Sequence, residues 1–285
     1  MTHLCVDGRF MEAPPALHRD GAYLFGDALF ETLKCKDGRI RLRKRHLERL
    51  EHSARLLKMP CDRPRLESAL AAMEERLPEG AWRLRLTLTR GDFAGPQFPP
   101  ADAGRFLLSA APYAEPTPEE REAGAVCILA PNRRVNPLPH LPQLKYGNYA
   151  DCLYAAGAAK DAGAREALFI EPDGLLLEGA TSNIFCVRDG VLLTPPLDGL
   201  ILPGLMRYRV MEAARALGIA CREEAIPLDS LRQADEVFLT NALIGLLPVA
   251  KLEEEQLNRG ELWKGIFEEI ESERSVGKHF PSCTG

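Results

Sequence analysis

The chain lacks any apolar run near the roughly 20 residues needed to cross a bilayer, and its start, MTHLCVDGRF, has neither the charged head nor the long apolar stretch of a signal peptide. A cytoplasmic protein with no membrane partner is expected. The eight cysteines, at 5, 35, 61, 127, 152, 186, 221 and 283, include no two within four positions, so neither a zinc knuckle nor a redox CxxC is written and no metal site is expected. Reduced, mostly buried thiols are the plain reading. No basic stripe stands out against the net charge of -5, which removes nucleic acid as an expected partner and leaves only local cationic pockets. There is no GxxxxGK[ST] and no GxGxxG between a strand and a helix, so any phosphate is held by other means. Internal repeats and low-complexity tracts are also missing.

What is present has the balance of a globular enzyme: 46% apolar and 27% charged residues in 285 positions, enough for two domains of ordinary size. AWRLRLTLTR (81–90) alternates as a half-buried strand does, and RHLERLEHSARLLK (45–58) places Leu47, Leu50, Ala54 and Leu57 on one helical stripe. Strand-like pieces at 4–7 and 106–111 complete an α+β half. PYAEPTPEEREAG (112–124) reads as a linker. Beyond it, strands at 125–130, 167–170, 183–187, 191–193 and 236–240 accompany helices near 149–162, 204–217 and 261–273. The strands cluster rather than alternating strictly with helices, which argues against a doubly wound sheet. The expected division is 1–113 as a smaller N-terminal α/β domain, 114–124 as linker and 125–285 as a larger C-terminal domain.

Five places carry possible chemistry. Lys145, in LKYGNY, follows a proline-broken stretch and has no acidic residue within several positions. Alone it reads as a solvated loop lysine; as a nucleophile it needs apolar burial or neighbouring positive charge to lower its pKa. Glu178 follows three leucines in LLLEGATSNIF, and is either a turn-edge glutamate in water or a buried carboxylate that must meet a cation. ILPGLMR (201–207) sets a proline and a glycine before a helix, freeing the backbone N–H groups of Leu205 and Met206 for a phosphate, or simply starting a helix. Thr240 and Asn241 end an apolar strand, as turn formers or as further phosphate donors. Arg49, beside Glu48, reads on its own as a solvated helical arginine.

Together with VDGRF, FGDALFETL (25–33), RHLERL and DEVFLTNALIGLLPV (235–249), these segments resemble, in order and spacing over nearly the full length, the class IV aminotransferase family of fold type IV pyridoxal-phosphate enzymes. The resemblance implies a two-domain α+β fold whose C-terminal domain has a β-barrel-like core. It implies pyridoxal 5'-phosphate as cofactor, a small amine or amino acid as substrate, and a homodimer. Lys145 would hold the cofactor's aldehyde and shuttle protons. Glu178 would face the pyridine nitrogen, and Arg49 would pair with the phosphate beside Leu205, Met206 and Thr240 or Asn241.

Within that family, branched-chain aminotransferases resemble KxGGNY, one residue longer than KYGN, and usually carry GT where this chain has Asn241 and Ala242; that reading is disfavoured. D-amino acid aminotransferases commonly place an arginine and a histidine after TRG, where TRGDFAGPQFPP has Gly95 and Gln97. Aminodeoxychorismate lyases resemble the chain in a lysine followed by asparagine at the third position, in GxMR and in NAL before a proline-valine. They lack a match in GPQF, where an arginine is typical. The expected activity is therefore aminodeoxychorismate lyase, with an amino acid transaminase as the alternative. One of Arg83, Arg85 and Arg90 is expected to hold a substrate carboxylate.

Overall fold

The computed structural model describes residues 3–11 and 19–272. A six-stranded antiparallel sheet is built from strands His3–Val6, Arg9–Met11, Ala28–Lys36, Arg39–Ile40, Ala81–Thr89 and Arg105–Pro112. The long strand Ala28–Lys36 pairs Leu29 with Leu88 and Leu33 with Leu84, which fixes the two faces of the sheet. One face is apolar: Leu29, Leu33, Leu84, Leu86 and Leu88 pack under helices Arg43–Leu56 and Arg63–Arg76 through Leu47, Leu50, Leu66 and Leu70. The other face presents Phe30, Thr32, Arg83, Arg85 and Ser109 to a cavity. Because side chains alternate along a strand, one register sets both core and cavity wall.

The segment read as linker is more ordered than its proline and glutamate content suggested. Helix Pro118–Ala123 occupies most of it, opened by a capping box in which Thr117 accepts from the Glu120 N–H and Glu120 accepts from the Thr117 N–H. The proline sits in the first turn, where its missing N–H is harmless, so composition that resembles a breaker is here a helix start.

A nine-stranded mixed sheet follows, and only the pairings of Ala125–Leu129 with Glu166–Ile170 and with Gly245–Leu252, and of Val191–Thr194 with Cys221–Glu223, are parallel. Strand Asn183–Arg188 is buried on both sides. Ile184 and Cys186 face one apolar cluster, and Phe185 and Val187 face another formed with helices Leu205–Ala216 and Leu262–Glu271. Phe185 stacks on Phe238 of strand Glu236–Asn241, ring centroids 5.5 Å apart. Helix Ala150–Asp161 covers the far edge through Cys152, Ala155 and Ala159 against Phe169 and Leu177. Among the described residues no helix is long and apolar enough to cross a membrane. The expected last helix, 261–273, is Leu262–Glu271; residue 273 and the rest of the C-terminus lie outside the described residues.

The chain between the two sheets passes directly over the cavity. Lys145 accepts from the Phe30 N–H at 2.9 Å, Tyr146 bridges Leu29, and the Gly147 N–H donates to Ala28. A Cβ on Gly147 would lie 2.6 Å from the Gly26 carbonyl oxygen, so only glycine lets the two backbones approach this closely. Thus LKYGNY is tied to the first sheet, and Lys145 is aimed by backbone pairing.

Candidate active site

A cavity of about 670 Å³ opens between the sheets, lined by Lys145, Glu178, Arg49, Thr240, Asn241 and the start of helix Leu205–Ala216. The structure therefore brings together the residues separately suspected of binding. The Lys145 amine sits 4.6 Å from the centroid of the Phe30 ring and 5.7 Å from that of Tyr149. Burial, reinforced by the positive charge of Arg49, lowers its pKa to about 8, against the opposing pull of Glu31 and Glu178. A lysine so placed carries a useful neutral fraction near physiological pH.

Glu178, in strand Leu176–Gly179, is buried. Burial pushes its carboxyl up to about 7 while Arg134, the Leu202 N–H and Lys145 hold it down. Its Oε1 accepts from Arg134 Nε at 2.9 Å, and its Oε2 accepts from the Leu202 N–H at 3.0 Å and from Asn183 Nδ2 at 3.1 Å. A carboxylate offers about four acceptor directions, and three are filled by donors alone, leaving one for a further N–H. Arg134 was not singled out in the sequence. It sits in an irregular stretch and spans from Glu178 to Asp151, whose Oδ2 it meets at 2.6 Å, so only tertiary structure shows its role.

Arg49 is not the solvated arginine its neighbours suggested. Helix Arg43–Leu56 turns it toward the sheet, where Nε and Nη2 pair with both oxygens of Glu31 at 2.8 and 2.6 Å and Nη1 donates to the Pro203 carbonyl. Burial would raise the Glu31 carboxyl, but the charge and hydrogen bonds of Arg49 and the bond from His46 outweigh it and hold it at about 2. His46, one helical turn from Arg49, meets Glu31 through Nδ1 at 2.7 Å; since a carboxylate only accepts, Nδ1 carries the proton. Its buried Nε2 has no partner among the described residues, and the ring lines the cavity. Glu31 belongs to FGDALFETL and His46 to RHLERL, and helical i,i+3 spacing is the signal that pairs His46 with Arg49.

The start of helix Leu205–Ala216 abuts this cluster. Gly204 precedes it with no side-chain cap, and a Cβ there would collide with the Asn183 Oδ1. The glycine keeps the approach to the Leu205 and Met206 N–H groups open. Thr240 and Asn241 line the cavity but their side chains are engaged: Thr240 Oγ1 donates to the Gly245 carbonyl, and Asn241 Oδ1 accepts from the Leu243 and Ile244 N–H groups. The Thr240 hydroxyl is therefore a poor further donor, while its lone pairs remain.

Of the three arginines expected to meet substrate, Arg83 and Arg85 line the cavity and Arg90 does not. Arg90 is buried, paired with Asp27 at 2.7 Å and donating to the Leu57 and Lys58 carbonyls. The physical reason is parity: positions 84, 86, 88 and 90 share the core side of the strand, 83 and 85 the cavity side. Asp27 in turn accepts from the Tyr146 hydroxyl at 2.8 Å, so Arg90 braces the residue next to Lys145.

A nucleophilic lysine, a buried carboxylate with one acceptor direction left, an open helix N-terminus and a cavity-facing arginine fit pyridoxal phosphate. Because Glu31 depends on Arg49, Arg49→Ala should show two effects. Cofactor affinity should fall by much more than kcat at saturating cofactor, and the apoprotein should lose about 3–5 kcal/mol in equilibrium denaturation, the usual result of stranding a buried charge. Unchanged cofactor affinity would remove Arg49 from the phosphate site.

A family profile described as amino-transferase class IV matches residues 28–252. A branched-chain-amino-acid aminotransferase of Escherichia coli is 30% identical over 246 residues, 83% of this chain and 79% of that one. The crystal structure of 4-amino-4-deoxychorismate lyase from Pseudomonas aeruginosa superposes with a TM-score of 0.85 at 33% identity, covering 95% of this chain and 99% of that one. The PLP-bound form of a hypothetical aminotransferase from Mycobacterium tuberculosis gives a TM-score of 0.82 at 27% identity over 95% and 98% of the two chains. The fold anticipated from the motifs is thus the observed one, and this chain belongs to the class IV aminotransferase family, as a pyridoxal-phosphate-dependent enzyme of fold type IV.

Proposed function

We propose that the chain is an aminodeoxychorismate lyase, releasing 4-aminobenzoate and pyruvate. The observation that carries the reading is the wall opposite the cofactor residues: the Arg85 guanidinium stacks at 3.9 Å on the same Phe30 ring that the Lys145 amine faces at 4.6 Å. One aromatic side chain thereby links the proton-transfer group to a cation suited to a substrate carboxylate. The high coverage and 33% identity of the lyase structure support the same choice.

Pyridoxal phosphate, when bound, supplies the electron sink for breaking a C–H bond at the aminated carbon. In our reading Arg49 and the Leu205 and Met206 N–H groups would hold the cofactor phosphate, beside the Thr240–Asn241 turn. The remaining acceptor direction of Glu178 would take the N–H of the cofactor ring, with Arg134 and Asn183 fixing the carboxylate's orientation. Lys145, depressed to a pKa of about 8, takes the proton from the aminated carbon. Arg85 holds a carboxylate so that this carbon lies over Lys145. The C–O bond to the enolpyruvyl group then breaks, the ring becomes aromatic, and the departing enolpyruvate regains on its methylene carbon the proton that Lys145 took, leaving as pyruvate.

The transaminase reading is favoured by the name of the E. coli relative and uses the same Lys145. The two separate on stoichiometry. With aminodeoxychorismate and no keto acid, a lyase gives equal 4-aminobenzoate and pyruvate over many turnovers. Inertness toward that substrate, with amino-group exchange between an amino acid and a keto acid, would overturn the lyase proposal. We further propose the division at 114–124 as a domain boundary, consistent with one sheet on each side of it, and a cytoplasmic homodimer. Exposed Tyr23, Phe25 and Phe98 give an apolar surface suited to a second copy. An active monomer in sedimentation would refute the dimer.

A further inference from the structure

We propose that Arg83 and Arg165, with the hydroxyl of Tyr113, are the residues in this cavity that hold the second carboxylate of the substrate. The proposal rests on the reading above that Arg85 holds the first. Arg83 and Arg85 share the cavity face of strand Ala81–Thr89, two residues and about 7 Å apart along the chain. Across the ladder Arg83 is opposite Ala111, and the Tyr113 N–H donates to Ala81 at 2.9 Å, which puts Tyr113 on the same face as a diagonal neighbour of Arg83.

From the other sheet, Arg165 enters just before strand Glu166–Ile170 and also lines the cavity. The Tyr113 oxygen is buried with no hydrogen-bond partner among the described residues. Burial raises that phenol, and the Arg165 charge beside it opposes the rise.

Charge accounting points the same way. The acidic groups of the cavity are committed: Glu178 to Arg134, and Glu166 to the Thr181 and Ser182 hydroxyls at 2.7 and 2.9 Å. Glu115, near Tyr113, is taken by Lys34 and Lys36. No carboxylate among the described residues meets Arg83 or Arg165, so two solvent-exposed guanidinium groups and a phenolic hydroxyl line one cavity with no anion of the protein's own. A carboxylate matches that donor set.

The test is calorimetric titration of the holoenzyme with chorismate, which carries two carboxylates but no amine to react, and with the monocarboxylate benzoate. Wild type should bind chorismate at least tenfold more tightly than benzoate. Arg165→Ala and Arg83→Ala should each weaken chorismate roughly tenfold and leave benzoate unchanged, with Arg165→Lys intermediate, whereas Arg85→Ala should weaken both ligands. Wild-type chorismate affinity in both the Arg165 and Arg83 variants, equal loss of both ligands in them, or no preference for chorismate in wild type would each overturn the second subsite. Arg85→Ala binding both ligands normally would instead defeat the placement of the first carboxylate. If the activity is transamination, the same comparison between 2-oxoglutarate and 2-oxobutyrate should show the same pattern.

Discussion

Lys145→Ala should abolish turnover, with a loss of at least about 10²–10⁴-fold from the missing proton transfer alone and more from the missing covalent attachment. The apoprotein should not suffer in parallel. Lys145 titrates at about 8 in the folded chain and at its ordinary 10.5 when unfolded, so below pH 8 the fold carries the full cost of a buried cation. That cost is relieved as pH rises from 8 to 10.5, where the unfolded chain binds more protons. Lys145→Ala apoprotein should therefore match or exceed wild type in denaturant midpoint at pH 7, and the difference should shrink toward pH 10.5. The same depressed pKa makes about a tenth of the side chain neutral at pH 7, so wild-type cofactor capture should rise through pH 8 and level off above it. A variant with near-normal turnover would remove Lys145 from the chemistry.

Glu178→Gln should keep the cofactor and lose rate by roughly 10²–10³-fold, the range for removing a preorganised electrostatic partner. The amide preserves the shape of the carboxylate but not its charge. It also turns one oxygen into a donor facing either Arg134 or the Leu202 N–H and Asn183, so at least one existing bond must be lost. If Arg134 acts through Glu178 as a positioning residue, Arg134→Lys should lower kcat with little change in KM. The measurement is kcat at saturating cofactor; a Glu178→Gln enzyme within a few-fold of wild type would show that the ring nitrogen does not depend on this carboxylate.

The sequence showed the parts of this site better than their contacts. Lys145 and Glu178 stood out because each was out of keeping with its surroundings, a lone cation after prolines and a carboxylate after three leucines. Helix Leu205–Ala216 was legible from a proline and a glycine just ahead of it. Arg49 reads on its own as solvated because helical periodicity locates an apolar stripe but says nothing of a buried acid such as Glu31 on a separate strand; only the family resemblance points it at the site. Arg134 and Arg165 were silent for a related reason: each lies outside the regular elements, where no period assigns a face. Arg90 lies off the cavity because it follows the parity of Leu84, Leu86 and Leu88 rather than that of Arg83 and Arg85, a distinction that alternation alone does not tie to the site until the cavity side is known. Strand Ala28–Lys36, the wall that carries Phe30 and Glu31, escaped notice because its ALFETLKCK run is buried at most positions and does not alternate cleanly.

The central claim is that this cavity holds pyridoxal phosphate on one particular side chain. Borohydride reduction of the wild-type holoenzyme, followed by proteolysis and mass spectrometry, tests it most directly. A single modified peptide is expected, containing LKYGNY, with the reduced cofactor on the nitrogen of Lys145. A cofactor adduct on any other lysine, or the same yield of adduct from Lys145→Ala, would contradict it.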